Sequence, residues 1–340
     1  MGVEGCCNKK VMEEEALVKK ITGLAAAIGE LPSLSPSPAV NALFTELVTS
    51  CIPASTVDVD ALGPEAQEMR ARLIRLCADA EGHLEAHYSD LLAAHDNPLD
   101  HLTLFPYFNK DYIKLSQLEH GLLRHVPGPA PARVAFLGSG PLPLSSLVLA
   151  ARHLPDASFD NYDISGEANG RASRLVRNDA DAGALMARTA DVADVRTELA
   201  GYDVVFLAAL VGTAAEEKAR LVEHLGRHMA PGAALVVRSP HGARGFLYPW
   251  VVDPEEIRRG GFEVLTVHHP EDEVINSVII ARKAAAPAAV AADGDVPVNN
   301  GGMPAQCAVA VSRPCLGCAC ELGTRAHQKM KEMAMEEMEA

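Results

Sequence analysis

Two apolar segments near the C-terminal third, Phe262 to His268 and Asn276 to Arg282, carry the strictest constraint in this chain. Only a short polar stretch, Pro270 to Glu273, lies between them, and a right-handed crossover between parallel strands needs a dozen or more residues. They must therefore pair antiparallel. Upstream the pattern differs. After a Pro-rich linker, Pro127 to Pro131, apolar runs at Arg133 to Gly138, Ser158 to Ile164, Leu185 to Ala190, Asp203 to Ala208 and Ala233 to Arg238 alternate with helical segments. The helical segments run from the turn at Gly138 to Leu154, around Ala168 to Asn178, and over Glu216 to His228. Such alternation predicts an α/β fold, a parallel sheet covered by helices on both faces.

The first third reads as helical. Leu17, Ile21, Leu24, Ala25 and Ile28 recur at helical spacing within Val11 to Ile28, until Pro32, Pro36 and Pro38 break the pattern. A second helix fits Val40 to Cys51, a long third opens at Gly63-Pro64 and closes at Asn97-Pro98, and a fourth runs from Asp111 to about Val126. The expected organisation is a flexible start over 1–10 and a helical cap over 11–126. A linker at 127–132, a nucleotide-binding domain over 133–283 and an aperiodic Ala/Pro/Gly-rich tail over 284–340 complete it. A short Met-rich helix around Met330, Met333, Met335 and Met338 would be marginal on its own.

Composition narrows the function classes. With 340 residues, 48% of them hydrophobic, the chain can bury a large core, and a formal charge of -15 argues against a surface that tracks phosphates. No nucleic-acid partner is expected. No apolar run is long enough to span a bilayer, no secretory signal opens the chain, and eight Cys form no dense framework, so the expected address is the cytoplasm. Gly2 with Cys6 and Cys7 offers an acylation pattern that would add vesicle membranes to that address, against an exposed tail as the plainer reading. A homo-oligomer is left open.

Val134-Ala-Phe-Leu-Gly138-Ser139-Gly140-Pro141 is a strand followed by a glycine turn at a helix start. The backbone must turn tightly there and admit a ligand where a Cβ would stand, and helix-start amides favour negative charge, such as a methionine carboxylate. A lone Gly-x-Gly is weak evidence. Its context strengthens it: Asp163 ends the second strand, where a carboxylate accepts from both ribose hydroxyls. Asp191 begins the loop after the third strand, placed to receive an adenine amino group, with Ile164 and Val192 as adjoining cofactor contacts. A nicotinamide nucleotide would also want an acid after the second strand. Pro143 in place of a third glycine and the antiparallel final pair favour instead a class I methyltransferase-like Rossmann sheet, the fold of S-adenosylmethionine-dependent enzymes, here capped by helices.

From about Leu31 to Lys283 the sequence resembles the plant nicotianamine synthases. The resemblance rests on Leu76-Cys-Ala-Asp-Ala-Glu81-Gly-His-Leu-Glu85, Asn97-Pro-Leu-Asp-His101, Phe105-Pro-Tyr107, Tyr112-Ile-Lys-Leu115 and Phe136-Leu-Gly-Ser-Gly-Pro-Leu-Pro-Leu144. It continues through Asn161-Tyr-Asp-Ile164, Phe206-Leu-Ala-Ala-Leu-Val-Gly212 and Arg238-Ser-Pro-His-Gly-Ala-Arg244, and it does not include the tail. The resemblance implies condensation of three S-adenosylmethionine molecules into nicotianamine, a metal chelator, with methylthioadenosine leaving each time. S-adenosylmethionine is then the substrate, and no further cofactor is expected. It also implies that Glu81 binds and deprotonates the attacking α-amine and that Tyr107 orients it.

Other constellations compete. Arg238, His241 and Arg244 follow the fifth strand and could meet substrate carboxylates, or form an exposed basic loop. His83 and His87 share a helix face, but Glu85 lies midway between them and points elsewhere, so no metal is expected there. Cys315, Cys318 and Cys320, with Cys307 or His327, suggest adventitious metal or redox sensitivity in the tail. The alternatives are a small-molecule N-methyltransferase and a thiol-rich metal carrier. Against nucleobase amine methylation, Ala208-Ala209-Leu210 lacks a polar Asn- or Asp-Pro-Pro signature.

Overall fold

The computed structural model describes residues 3–284 except 54, 56, 178–184, 213 and 250, and for 3–11, 110 and 215 the backbone only. Gly2 and the tail cysteines, His327 and the Met-rich segment lie outside the described residues, and the side chains of Cys6 and Cys7 likewise.

Among the described residues, seven strands form one sheet in the order β3-β2-β1-β4-β5-β7-β6. They are β1 (Arg133–Leu137), β2 (Ser158–Asp163), β3 (Leu185–Thr189), β4 (Val204–Leu207), β5 (Ala234–Ser239), β6 (Phe262–His268) and β7 (Ser277–Lys283). The first five run parallel. β7 runs antiparallel to both β5 and β6 and inserts between them, so the short Pro270 to Glu273 connection makes the hairpin its length demands. The fold expected from the sequence is the fold found.

Side-chain alternation along β1 divides the core. Val134 and Phe136 face a layer that includes Phe159, Phe206 and Val236. Ala135 and Leu137 face Leu225 of α7 (Ala215–His228) and Ile257 of α8 (Pro254–Arg259). The first of these layers continues into the cap through Leu92, Phe105 and Leu115, so the sheet and the helices above it share one apolar interior.

The cap helices are α1 (Val3–Gly29), α2 (Pro38–Cys51), α3 (Pro64–Ala93) and α4 (Lys114–Leu123). α1 begins eight residues before Val11, where the apolar spacing starts. Ser37 caps α2, accepting from the Val40 N–H at 3.3 Å, and Pro38 takes the first-turn position its missing N–H suits. Gly63-Pro64 opens α3 as its sequence indicates; α3 ends at Ala93, four residues before Asn97-Pro98. α4 differs most from expectation. Residues Phe108–Ile113 form a π-helical turn that runs into it, widening the backbone just where Asp111 and Tyr112 sit. Among the described residues two further α-helices are α5 (Leu144–Arg152) and α6 (Gly166–Leu175). α8 was not anticipated, although Asp253 caps it through the Glu255 N–H at 2.9 Å and Pro254 follows.

Several contacts hold cap to sheet, among them the following. Arg171 of α6 donates from Nε to Asp90 of α3 at 3.1 Å, and Arg174 binds the same carboxylate. Arg70 of α3, 8% exposed, donates from Nε to the Gly245 carbonyl at 2.7 Å. Phe246 and Leu247, just beyond β5, pack into the cap core among Ile21, Leu47 and Leu73.

Candidate active site

The carboxyl ends of β1, β2, β4 and β5 and the lower faces of α2 and α3 enclose a cavity of about 880 Å³. That is large for a small-molecule site, with room for a nucleoside and a second amino-acid arm.

The floor is the glycine turn. Gly138 (φ +81°) and Gly140 (φ +66°) both adopt the left-handed region, which glycine enters without strain. A Cβ on Gly138 would fall on Cγ2 of Val211, and one on Gly140 would lie 2.5 Å from Oε2 of Glu85. Gly138→Ala should therefore lose roughly 1–3 kcal/mol of stability and weaken nucleotide binding together. A lowered Tm with a raised Kd for the nucleoside ligand would check this; an unchanged Tm would contradict it.

Beside the turn, the Asp163 carboxylate accepts from Gly140 N–H at 3.0 Å and from Ser165 N–H at 2.9 Å, one bond on each oxygen. Each oxygen keeps a lone pair for a ribose hydroxyl. Asp191 is exposed at the rim and accepts from Ala193 N–H at 2.9 Å; Val192 behind it is buried. Ile164 is 72% exposed, an apolar side chain on the cavity wall suited to cover one face of a base.

The ceiling comes from α3. Cys77, Glu81 and Glu85 follow at intervals of four, one stripe of that helix, and all three line the cavity. Both carboxyls are half-buried, and what surface they keep opens onto the cavity. Burial pushes the Glu81 carboxyl up to about 7, against the opposing pull of Arg238 and with Asp111 adding to the rise. Glu85 is raised well above the usual carboxylate range, by burial first and then by the charge of Glu81. Tyr112 donates its hydroxyl to Glu85 Oε1 at 3.3 Å, and burial beside these acids holds the hydroxyls of Tyr112 and Tyr248 well above their usual range. Tyr107 lines the same cavity, its ring edge-on to Phe105 at 5.9 Å.

The cation acting on these acids is Arg238. It lies in β5, 7% exposed, so it belongs to no exposed basic loop. Its Nε and Nη2 donate to the two oxygens of fully buried Glu119 at 2.7 and 2.9 Å, and Nη2 also to Ser145 at 2.9 Å. Phe136 lies under the guanidinium, 5.0 Å away. Nη1 takes part in none of these bonds and is the atom a substrate carboxylate could meet.

Thus Glu81, Tyr107, Gly138, Ser139, Gly140, Asp163, Ile164, Asp191, Val192 and Arg238 all border one cavity. Arg244 does not. It is 5% exposed and donates to the carbonyls of Pro270 (2.5 Å), Asp272 (2.7 Å) and Ile52 (3.1 Å), tying the cap to the β6–β7 connection. Those three carbonyls engage both of its terminal nitrogens, and Arg244 is not among the residues lining the cavity with the other expected site residues. His241 stacks on His269 at 3.8 Å, away from the cavity lining. His83 and His87 are exposed on α3, and among the described residues no group of three or more His, Cys, Asp or Glu is placed to hold a metal. Glu85, Asp111, Tyr112 and Tyr248 were missed. A signal existed for Glu85 alone, its four-residue spacing from Glu81.

Sheet order, glycine turn and acidic strand ends together define a class I S-adenosylmethionine-dependent transferase fold. Solved structures agree. MtNAS in complex with MTA and tNA superposes with a TM-score of 0.64 at 21% identity, covering 79% of this chain and 97% of that one. A mutant of MtNAS in complex with S-adenosylmethionine gives the same TM-score at 22% identity, covering 79% and 98%. At that identity the likeness is one of fold. A family model described as nicotianamine synthase protein matches residues 8–288. Nicotianamine synthase 9 of Hordeum vulgare is 93% identical over 343 residues, 100% of both chains. Nicotianamine synthase 3 of Oryza sativa subsp. indica is 73% identical over 328 residues, 95% of this chain and 93% of the relative. The chain belongs to the nicotianamine synthase family.

Proposed function

We propose that the cavity condenses three molecules of S-adenosylmethionine into one nicotianamine and three methylthioadenosines, with Glu81 as the base. A sulfonium carries three electrophilic carbons, and the one presented in line to a nucleophile reacts. Here the α-nitrogen of an acceptor attacks the first carbon of the donor's aminocarboxypropyl arm. The carbon–sulfur bond breaks, its electron pair stays on sulfur, and methylthioadenosine departs neutral. Two such transfers join three arms, and an internal attack closes the four-membered azetidine ring. Each step frees one proton from nitrogen.

An α-ammonium has no lone pair, so the proton must leave before attack. A carboxyl with an ordinary value would be too weak a base at neutral pH; one raised to about 7 is matched to the task. The placing of Glu81 in the same cavity as the glycine turn and Asp163 is the observation that carries this reading. Tyr107 orients the amine, Asp163 and Asp191 hold ribose and adenine, and Nη1 of Arg238 meets a substrate carboxylate. The helices of 11–126 act as the lid that keeps water out and intermediates in, over the nucleotide-binding half of 133–283.

The nucleoside released from S-adenosylmethionine alone tests the chemistry. Methylthioadenosine is expected. S-adenosylhomocysteine in its place would mean methyl transfer and would end the reading.

A further inference from the structure

Glu85 is a half-buried acid on the cavity wall that the mechanism above does not use. Its Oε1 is engaged by Tyr112, while Oε2 stands over Gly140 of the nucleotide turn. Gly140 in turn donates to Asp163. Asp163 and Glu85 thus flank the same turn, and a ribose on Asp163 would carry the donor's sulfur, one carbon beyond the sugar ring, toward the side of the turn where the Glu85 carboxyl stands. We propose that Glu85 recognises the positive charge of the donor's sulfonium, a role separate from the proton transfer assigned to Glu81. The inference rests on the functional reading above and refines it.

The physical consequence is a sorting of substrate from product. A sulfonium donates no hydrogen bond, so a carboxylate holds it through charge alone, strongly in an enclosed site. When the carbon–sulfur bond breaks, sulfur becomes neutral and the attraction vanishes. The spent nucleoside loses its hold each time while the growing chain, with its own charges, stays. Such a difference favours release of each spent nucleoside over release of fresh substrate. Because the attraction is strongest before the reaction and fades toward the transition state, Glu85 supports binding and not the chemical step: its loss should raise KM and leave kcat unchanged or higher.

The protein's own groups favour the protonated form of Glu85, since burial, Glu81 and Asp163 all raise it while Tyr112 and Arg238 oppose them. An arriving sulfonium favours the ionised form. Binding of S-adenosylmethionine should then release a proton from Glu85, and binding of S-adenosylhomocysteine, which keeps the α-ammonium but has neutral sulfur, should not.

The test is calorimetry of both ligands on wild type and Glu85→Gln, in buffers of different ionisation enthalpy. Wild type should prefer S-adenosylmethionine by about 10- to 100-fold and release a proton on binding it. In Glu85→Gln the preference should collapse to within about threefold through loss of S-adenosylmethionine affinity, and the proton release should disappear. Glu85→Asp, which keeps the charge, should retain most of the preference and serves if the Gln variant does not fold. Equal weakening of both ligands, or an unchanged ratio, would overturn the assignment. A wild type that makes nicotianamine yet binds both ligands alike would overturn it too, leaving the synthase reading intact; a wild type that makes no methylthioadenosine would overturn that reading instead.

Discussion

Glu81→Gln is expected to bind S-adenosylmethionine with near-normal affinity and to form nicotianamine at least ~100-fold more slowly. Gln keeps the shape of the side chain and its reach into the cavity but cannot take a proton from the acceptor's nitrogen. The same change should alter stability in the opposite direction. Because folding raises the Glu81 carboxyl from 4.5 to about 7, the folded chain holds a proton there that the unfolded chain releases. Through this group wild type is most favoured at low pH and loses stability as pH rises from about 4.5 to 7. Above that window the ionised acid burdens the fold, so Glu81→Gln should melt higher than wild type near pH 8. Normal turnover in Glu81→Gln, or a lower Tm at pH 8, would remove Glu81 from its assigned role.

Arg238→Met should be the most damaging change to the fold. Glu119 is fully buried and both its oxygens are held by that guanidinium. Removing it strands a carboxylate in an apolar layer that includes Phe136, at a cost of about 3–5 kcal/mol. A double change, Arg238→Met with Glu119→Leu, should recover much of that loss, since neither charge is then left alone. Chemical denaturation of the three chains measures both effects. If the single variant is no less stable than the double, the pair is not the buried clamp its geometry describes.

The parts of this molecule legible from sequence were those fixed by local periodicity. Strand ends could be read because short apolar runs stop where the chain must turn, and ligand groups follow at once: Gly138 after β1, Asp163 closing β2, Asp191 after β3. The β6–β7 hairpin followed from connection length alone, whereas the insertion of β7 beside β5 is a long-range pairing. Tyr112 and Tyr248 carry no local signal for the site because they reach the cavity only through packing of the cap on the sheet, and Glu85 carries only its spacing from Glu81. Tyr112 further depends on a π-helical turn that no local pattern announces. Arg238 and Arg244 stand six residues apart in one motif, yet one lies in a strand facing the cavity and the other in a turn beyond it. Residue type was the same; backbone direction decided.

The assignment of Glu81 as the base depends on one quantity, the proton affinity of its carboxyl in the folded chain. Titrating glutamate labelled with carbon-13 at the side-chain carboxyl, with the Glu81 signal identified by its absence from Glu81→Gln, measures it directly. A midpoint near 7 is the predicted result. A midpoint near the ordinary value of about 4.3 would contradict the account.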